Sequence, residues 1–256
     1  MQYDAVLVDL DGTVWRGHEP IGGAARGLAA LRETGIPVVF VTNNTSVRRE
    51  EFRARMDAAG LPTDLGPIVT AGWATARFLA DHHADDHIFV LGDEALRLDI
   101  ADAGLDVVDI GPAEVVVAAH DEHVSYDRLT TTLRAFGNDT TLVAPNRDRV
   151  YPSEDGPVPG AGASVGAVEG MTGHEALVVG KPETRLADVA ADAVDATTSN
   201  CLMVGDNIHT DILMGERAGM TTALVLTGVS TRAAAESAAV QPDHILKSIA
   251  DVGSLF

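Results

Sequence analysis

Short apolar runs rich in β-branched residues recur along the chain at positions 5–8, 37–41, 68–69, 176–179, 201–204 and 223–226. Runs of this kind are the pattern of strands buried in a parallel sheet. Between many of them lie Ala- and Leu-rich stretches with helical spacing, such as 23–34 and 48–59. The alternation predicts an α/β fold, a Rossmann-like parallel sheet with helices on both faces. The middle of the chain reads as a second, smaller α/β unit. It has strand patterns at 87–91, 114–119 and 140–143 and helical patterns at 94–103 and 126–136. No repeat or low-complexity linker sets it apart. The expected organisation is a discontinuous core, 1–80 and 177–256, interrupted by an inserted domain at 81–176.

The positions just after the strands are more telling than the strands. Run 5–8 leads into Asp9-Leu10-Asp11-Gly12-Thr13, and run 37–41 into Thr42-Asn43-Asn44. Run 176–179 leads into Gly180-Lys181-Pro182, and run 201–204 into Gly205-Asp206-Asn207. Open parallel sheets bind ligands beyond the carboxyl ends of their strands. Polar residues landing there four times propose one convergent site built from four distant segments.

Composition narrows the partners. The chain carries 38 acidic against 18 basic residues, a formal net charge of −20. Such a charge repels nucleic acid and anionic membranes. No run of eighteen apolar residues is present, and the N-terminus lacks a basic region, so neither a membrane span nor a secretory signal is expected and a cytoplasmic setting is. An acidic, lysine-poor composition resembles proteins from a high-salt cytoplasm, where screening relieves self-repulsion. Lysine occurs only at 181 and 247, which gives Lys181 added weight. The single cysteine, Cys201, lies in an apolar run and reads as core packing.

The residues at the strand ends suit phosphoryl transfer. Asp9 could act as a nucleophile, but a carboxylate approaching a phosphate dianion is repelled unless a divalent cation neutralises both. Mg²⁺ suits this, because it accepts one or two carboxylates and completes its octahedron with phosphate oxygen and water. Asp206 and Asp211 can supply the second carboxylate wall. Crowding beside Asp9 would let Asp11 hold a proton for the leaving group and later activate water. Lys181 offers a fixed positive charge and Thr42 a hydroxyl for the phosphoryl oxygens, with backbone N–H groups near Asn43 and Leu10 completing the cradle.

These four segments, in this order and spacing, resemble the four motifs of the haloacid dehalogenase (HAD) superfamily. The long insert between the threonine and lysine motifs resembles its class IIA cap. Segment Tyr151-Pro152-Ser153-Glu154-Asp155-Gly156, with Pro159-Gly160-Ala161-Gly162, is similar to the NagD and 4-nitrophenylphosphatase branch. The resemblance implies a HAD core with a cap, a small-molecule phosphate monoester as substrate and Mg²⁺ as cofactor. It implies Asp9 as nucleophile and metal ligand, and Asp11 as general acid/base that ligates through its backbone carbonyl. Asp206 would be a side-chain ligand and Asp211 a support of the metal site; Thr42, Asn43 and Lys181 would hold the phosphoryl group. It further implies that the cap excludes water and shapes the leaving-group pocket, with Asn146, Asp148 and Tyr151 as candidate substrate contacts, and that copies pair through their caps as a homodimer.

Other readings stand beside this one. The scaffold also suits a phosphotransferase delivering the phosphoryl group to an alcohol, a non-catalytic phosphosugar-binding protein, or a receiver-like signalling domain, although receivers are about half this length. The run Gly160–Gly166 misses the dinucleotide spacing by one position and reads as a loop entering a helix. His82, His83, His87, His120 and His123 read as solvated histidines. His209 lies inside the fourth motif, and Trp15 reads as part of a hairpin-like flap.

Overall fold

The computed structural model describes residues 3–17, 19–153 and 156–256. Glu154 and Asp155, in the segment singled out above, lie outside the described residues. Fifteen strands are present among the described residues. In chain order they are β1 (Ala5–Asp9), β2 (Trp15–Arg16), β3 (Glu19–Pro20), β4 (Val38–Thr42), β5 (Ile68–Thr70), β6 (His87–Leu91), β7 (Asp106–Val108) and β8 (Val115–Ala118). They continue with β9 (Thr141–Ala144), β10 (Val150–Ser153), β11 (Gly156–Pro159), β12 (Leu177–Val178), β13 (Cys201–Gly205), β14 (Thr221–Val225) and β15 (His244–Leu246). The chain divides into two compact units. The first comprises Met1–Thr42, Arg49–Val69 and Lys181–Phe256, and the second Asn43–Arg48 and Thr70–Gly180.

The first unit is built on a six-stranded sheet in the order β15-β14-β13-β1-β4-β5. Its resolved pairings are parallel: β1 with β13 and β4, β13 with β14, and β14 with β15. All five residues of β1, β4 and β13 are buried, which is why these runs are apolar throughout instead of alternating. The chain runs from β1 outward through β4 to β5, and later from β13 outward through β14 to β15. The order therefore reverses between β1 and β13. A crevice outside the carboxyl ends of two such strands is where open α/β sheets bind ligands.

The second unit has its own five-stranded sheet, β12-β9-β8-β6-β7, with parallel pairings throughout. Phe89, Leu91, Val116, Leu142, Val165 and Val168 pack a core between this sheet and helices Tyr126–Ala135 and Ala161–Thr172. The strand expected at 176–179 forms, but β12 pairs with β9 and belongs to this sheet, not to the six-stranded one. Gly160 caps the helix Ala161–Thr172, so the glycine run there is a loop entering a helix. No helix among the described residues is long and apolar enough to cross a membrane.

Helix Ala24–Thr34 packs on the C-terminal segment Ile249–Leu255 through Gly27, where an added Cβ would collide with the carbonyl of Ile249. In helix Ala161–Thr172, by contrast, a Cβ on the exposed Gly170 meets nothing. The same substitution should therefore have opposite signs. Gly27→Ala is expected to destabilise by about 1–3 kcal/mol through overpacking, and Gly170→Ala to stabilise by about 0.5–1 kcal/mol through helix propensity. Thermal melts of the two variants check this.

Candidate active site

Strand register sets the site. Asp9 is the last residue of β1 and lies opposite Val41 of β4, so Thr42 comes one residue beyond that pairing. On the other side Val8 lies opposite Val204 of β13, so Asp206 comes two residues beyond that pair. Each apolar run ends where the chain leaves the sheet, and the first polar side chains of three strands gather at one edge.

Four ionisable groups meet there. Lys181 Nζ donates to Asp9 Oδ1 at 2.5 Å and to Asp211 Oδ1 at 2.7 Å, and all three residues are buried. Burial alone would lower the Lys181 pKa, but the two carboxylates more than reverse this and hold the ammonium charged. Burial drives the Asp9 carboxyl well above its ordinary range; the Lys181 charge opposes this, while Asp211 and Asp206 reinforce it. Burial and the neighbouring Asp211 charge raise Asp206 to about 6. Carboxylate oxygens of Asp9, Asp206 and Asp211 all lie within 4.8 Å of one another.

The local backbone explains how carboxylates are kept so close. Gly12 turns the chain after Asp11 at φ +87°, and a Cβ there would lie 2.5 Å from Asp206 Oδ2. Only glycine allows both the conformation and the approach. Thr13, fully buried, donates its hydroxyl to Asp9 Oδ2 at 3.1 Å. After β13 the chain makes a wide turn, Ile208–Ile212, in which the amide of Ile212 reaches back to the carbonyl of Asn207 at 3.3 Å. This π-type turn folds Asp211 back on the strand end. Its Oδ2 then accepts the backbone N–H groups of Asp206 and Asn207 at 3.1 and 3.0 Å.

Loop residues after β14 finish the edge. The amide of Val229 donates to Asp206 Oδ2 at 2.6 Å, and Thr227 donates its hydroxyl to the carbonyl of Gly12 at 2.7 Å. Sequence reasoning missed this loop. Its signal was position after the run at 223–226, but a backbone N–H donor leaves no side-chain signature.

Asp11 is exposed, and its Oδ1 accepts the indole N–H of Trp15 at 2.8 Å. Trp15 lies in the β2–β3 hairpin, as the flap reading expected, with its ring buried. Thr42 is buried at the end of β4. Asn43, the next residue, belongs to the second unit. Its side-chain amide donates to both oxygens of Asp148 at 3.3 Å, and its carbonyl accepts from Asn146 Nδ2 at 2.7 Å. Tyr151 in turn donates its hydroxyl to Asn146 Oδ1 at 3.4 Å. His83 pairs with Asp86, His87 with Glu114, and His120 with Asp93.

Comparison with known proteins agrees with this geometry. Residues 6–106 match the haloacid dehalogenase-like hydrolases, and residues 178–252 match a HAD-hydrolase-like family. The sugar-phosphatase AraL of Bacillus subtilis is 36% identical over 252 residues, 98% of this chain and 92% of that protein. The chain belongs to the haloacid dehalogenase-like hydrolases. An acid sugar phosphatase of Staphylococcus saprophyticus is 34% identical, covering 98% of this chain and 96% of the relative. Among solved structures, a p-nitrophenyl phosphatase from Archaeoglobus fulgidus superposes with a TM-score of 0.93 at 33% identity and covers both chains completely. These neighbours place the HAD chain among the NagD-like phosphatases, and it is a phosphoric monoester hydrolase of that superfamily.

The donor set fits a hard divalent cation, which phosphatases of this superfamily generally use. It offers carboxylate oxygens with no sulfur or imidazole among them. Three carboxylates against one ammonium formally leave two negative charges. Without metal, the raised Asp206 pKa means that the folded state keeps a proton the unfolded chain releases near pH 4. Its contribution therefore weakens the fold as pH rises from about 4 to 6. In EDTA, Asp206→Asn should gain on the wild type across that window by on the order of 3 kcal/mol. Melts with excess divalent cation at pH 7 should show the wild type stabilised and the variant much less so.

Proposed function

We propose that this chain hydrolyses small phosphate monoesters with Mg²⁺, using Asp9 as the nucleophile and passing through a covalent aspartyl-phosphate. Sugar phosphates, nucleoside monophosphates and aryl phosphates are the substrate classes in view, the first favoured by the names of the sugar phosphatases it is similar to. The observation that carries the reading is the Lys181 ammonium held between Asp9 and Asp211 beside Asp206, at the reversal point of the sheet.

Each residue then has a task. Asp9 Oδ1, beside Lys181, faces the phosphorus and forms the new bond, while Thr13 fixes Oδ2. Lys181 and Thr42 take the phosphoryl oxygens, and the Asn43 amide joins them, its side chain anchored by Asp148. Asp9, Asp206 and the Asp11 carbonyl, with support from Asp211, would hold Mg²⁺, which would supply positive charge between the attacking carboxylate and the phosphate. Asp11 gives its proton to the departing alcohol oxygen, then takes one from the water that cleaves the aspartyl-phosphate. Segment 81–176 is the proposed cap, and Asn146, Asp148 and Tyr151 are its candidate substrate contacts; Asn146 also fixes the Asn43 backbone.

The test is phosphate release from a panel of phosphate monoesters in Mg²⁺ or EDTA. Turnover is expected in Mg²⁺, with a loss of about 10³-fold or more in EDTA and in Asp9→Asn, while circular dichroism shows the variant folded. An Asp9→Asn protein that hydrolyses at the wild-type rate would sink the nucleophile assignment.

A further inference from the structure

The hairpin that follows the first motif holds a tryptophan whose only polar side-chain atom is spent on Asp11. Trp15 is 1% exposed, yet its indole N–H reaches outward to an exposed carboxylate at 2.8 Å. Among the described residues this is the one side-chain hydrogen bond Asp11 makes. The geometry is fixed from both sides. The amide of Gly12 donates to the Trp15 carbonyl at 2.7 Å, and the amide of Trp15 to the Leu10 carbonyl at 3.2 Å, so the two residues are tied through backbone as well. On its far face the indole lies parallel to Phe52, with centroids 5.9 Å apart and planes within 5°. The Arg55 guanidinium sits 5.6 Å from the Trp15 ring centroid and 5.7 Å from that of Phe52.

We propose that Trp15 is a positioning residue for Asp11, its N–H fixing the carboxyl so that Oδ2 is the oxygen presented to the leaving group. This rests on the proton-transfer role given to Asp11 above. An N–H donor at Oδ1 makes that oxygen the carbonyl of the protonated acid and puts the transferable proton on Oδ2. In the first step the Asp9 O–P bond forms, the P–O bond to the alcohol breaks, and the Oδ2 proton goes to the departing oxygen, so the alcohol leaves neutral. In the second step the water oxygen bonds to phosphorus and gives a proton to Asp11, the Asp9 O–P bond breaks to restore the carboxylate, and inorganic phosphate departs. A solvated aspartate would sample several rotamers. The buried indole restricts it to one, which matters because a proton donor must lie within hydrogen-bond reach of the atom it serves.

A general acid matters most when the leaving group is poor, which distinguishes positioning from packing. The experiment measures kcat/KM, which reports events through departure of the alcohol, for the Mg²⁺-loaded enzyme along a series from p-nitrophenyl phosphate to phenyl phosphate to alkyl phosphates. Two changes at position 15 are compared, Trp15→Phe and incorporation of 3-benzothienylalanine, which keeps the shape and stacking of tryptophan but has no N–H. The loss is expected to be about twofold for p-nitrophenyl phosphate and to grow to about tenfold or more for the alkyl esters, with the benzothienyl protein melting like the wild type. A loss of equal size across the series, or none in the benzothienyl protein, overturns the proposal. Asp11→Asn is run alongside. If it shows a steep leaving-group dependence while the position-15 proteins do not, Trp15 has no positioning role. If it shows none, the role of Asp11 itself fails, and the Trp15 proposal fails with it.

Discussion

One ammonium buried among carboxylates is the interaction on which the first unit's edge depends. Lys181 and Asp9 are 172 positions apart in sequence, and Lys181 is 30 from Asp211. Each attraction is on the order of 4 kcal/mol at contact distance in an effective dielectric of 20, and taking each ion out of water costs several kcal/mol. The balance is close. It favours charge on the lysine because two carboxylates share it, and it works against charge on Asp9 because Asp206 and Asp211 crowd the same space. The arrangement is an electrostatic deficit of positive charge held in place by a folded chain, and that deficit is what a divalent cation would relieve.

Backbone N–H groups join the Lys181 side chain in keeping the carboxylates together. Asp206 is held by the amide of Val229, and Asp211 by the amides of Asp206 and Asn207. Such donors carry no counter-charge that would need neutralising in turn, and they belong to loops whose ends are fixed by buried strands. Glycine at position 12 lets the loop after β1 pass within contact of Asp206. The sheet thus supplies position, and the loops supply orientation.

Much of this was legible in the chain because buried parallel strands are short and apolar, so a polar residue ending one of them stands out. Asp9, Thr42 and Asp206 could be located in that way, and the two α/β units could be read from the same alternation. Sheet membership was not legible. The run at 176–179 resembles the core strands in composition, but β12 has only two residues and joins β9; which neighbour completes a parallel ladder depends on crossovers no local window contains. The amide of Val229 was invisible because every residue but proline has one. The Trp15 indole could be placed in a flap by sequence, but its hydrogen bond depends on a rotamer set by Phe52, 37 positions on.

The widened turn at Ile208–Ile212 has a consequence for how this segment can vary. An α-helical residue advances about 100° around its axis, so one residue added or lost between Asp206 and Asp211 would swing the acid away from the strand end and release both amides and the lysine together. A change of length there undoes the site even where every side chain is kept. The interval between the two aspartates works as a ruler cut to one measure.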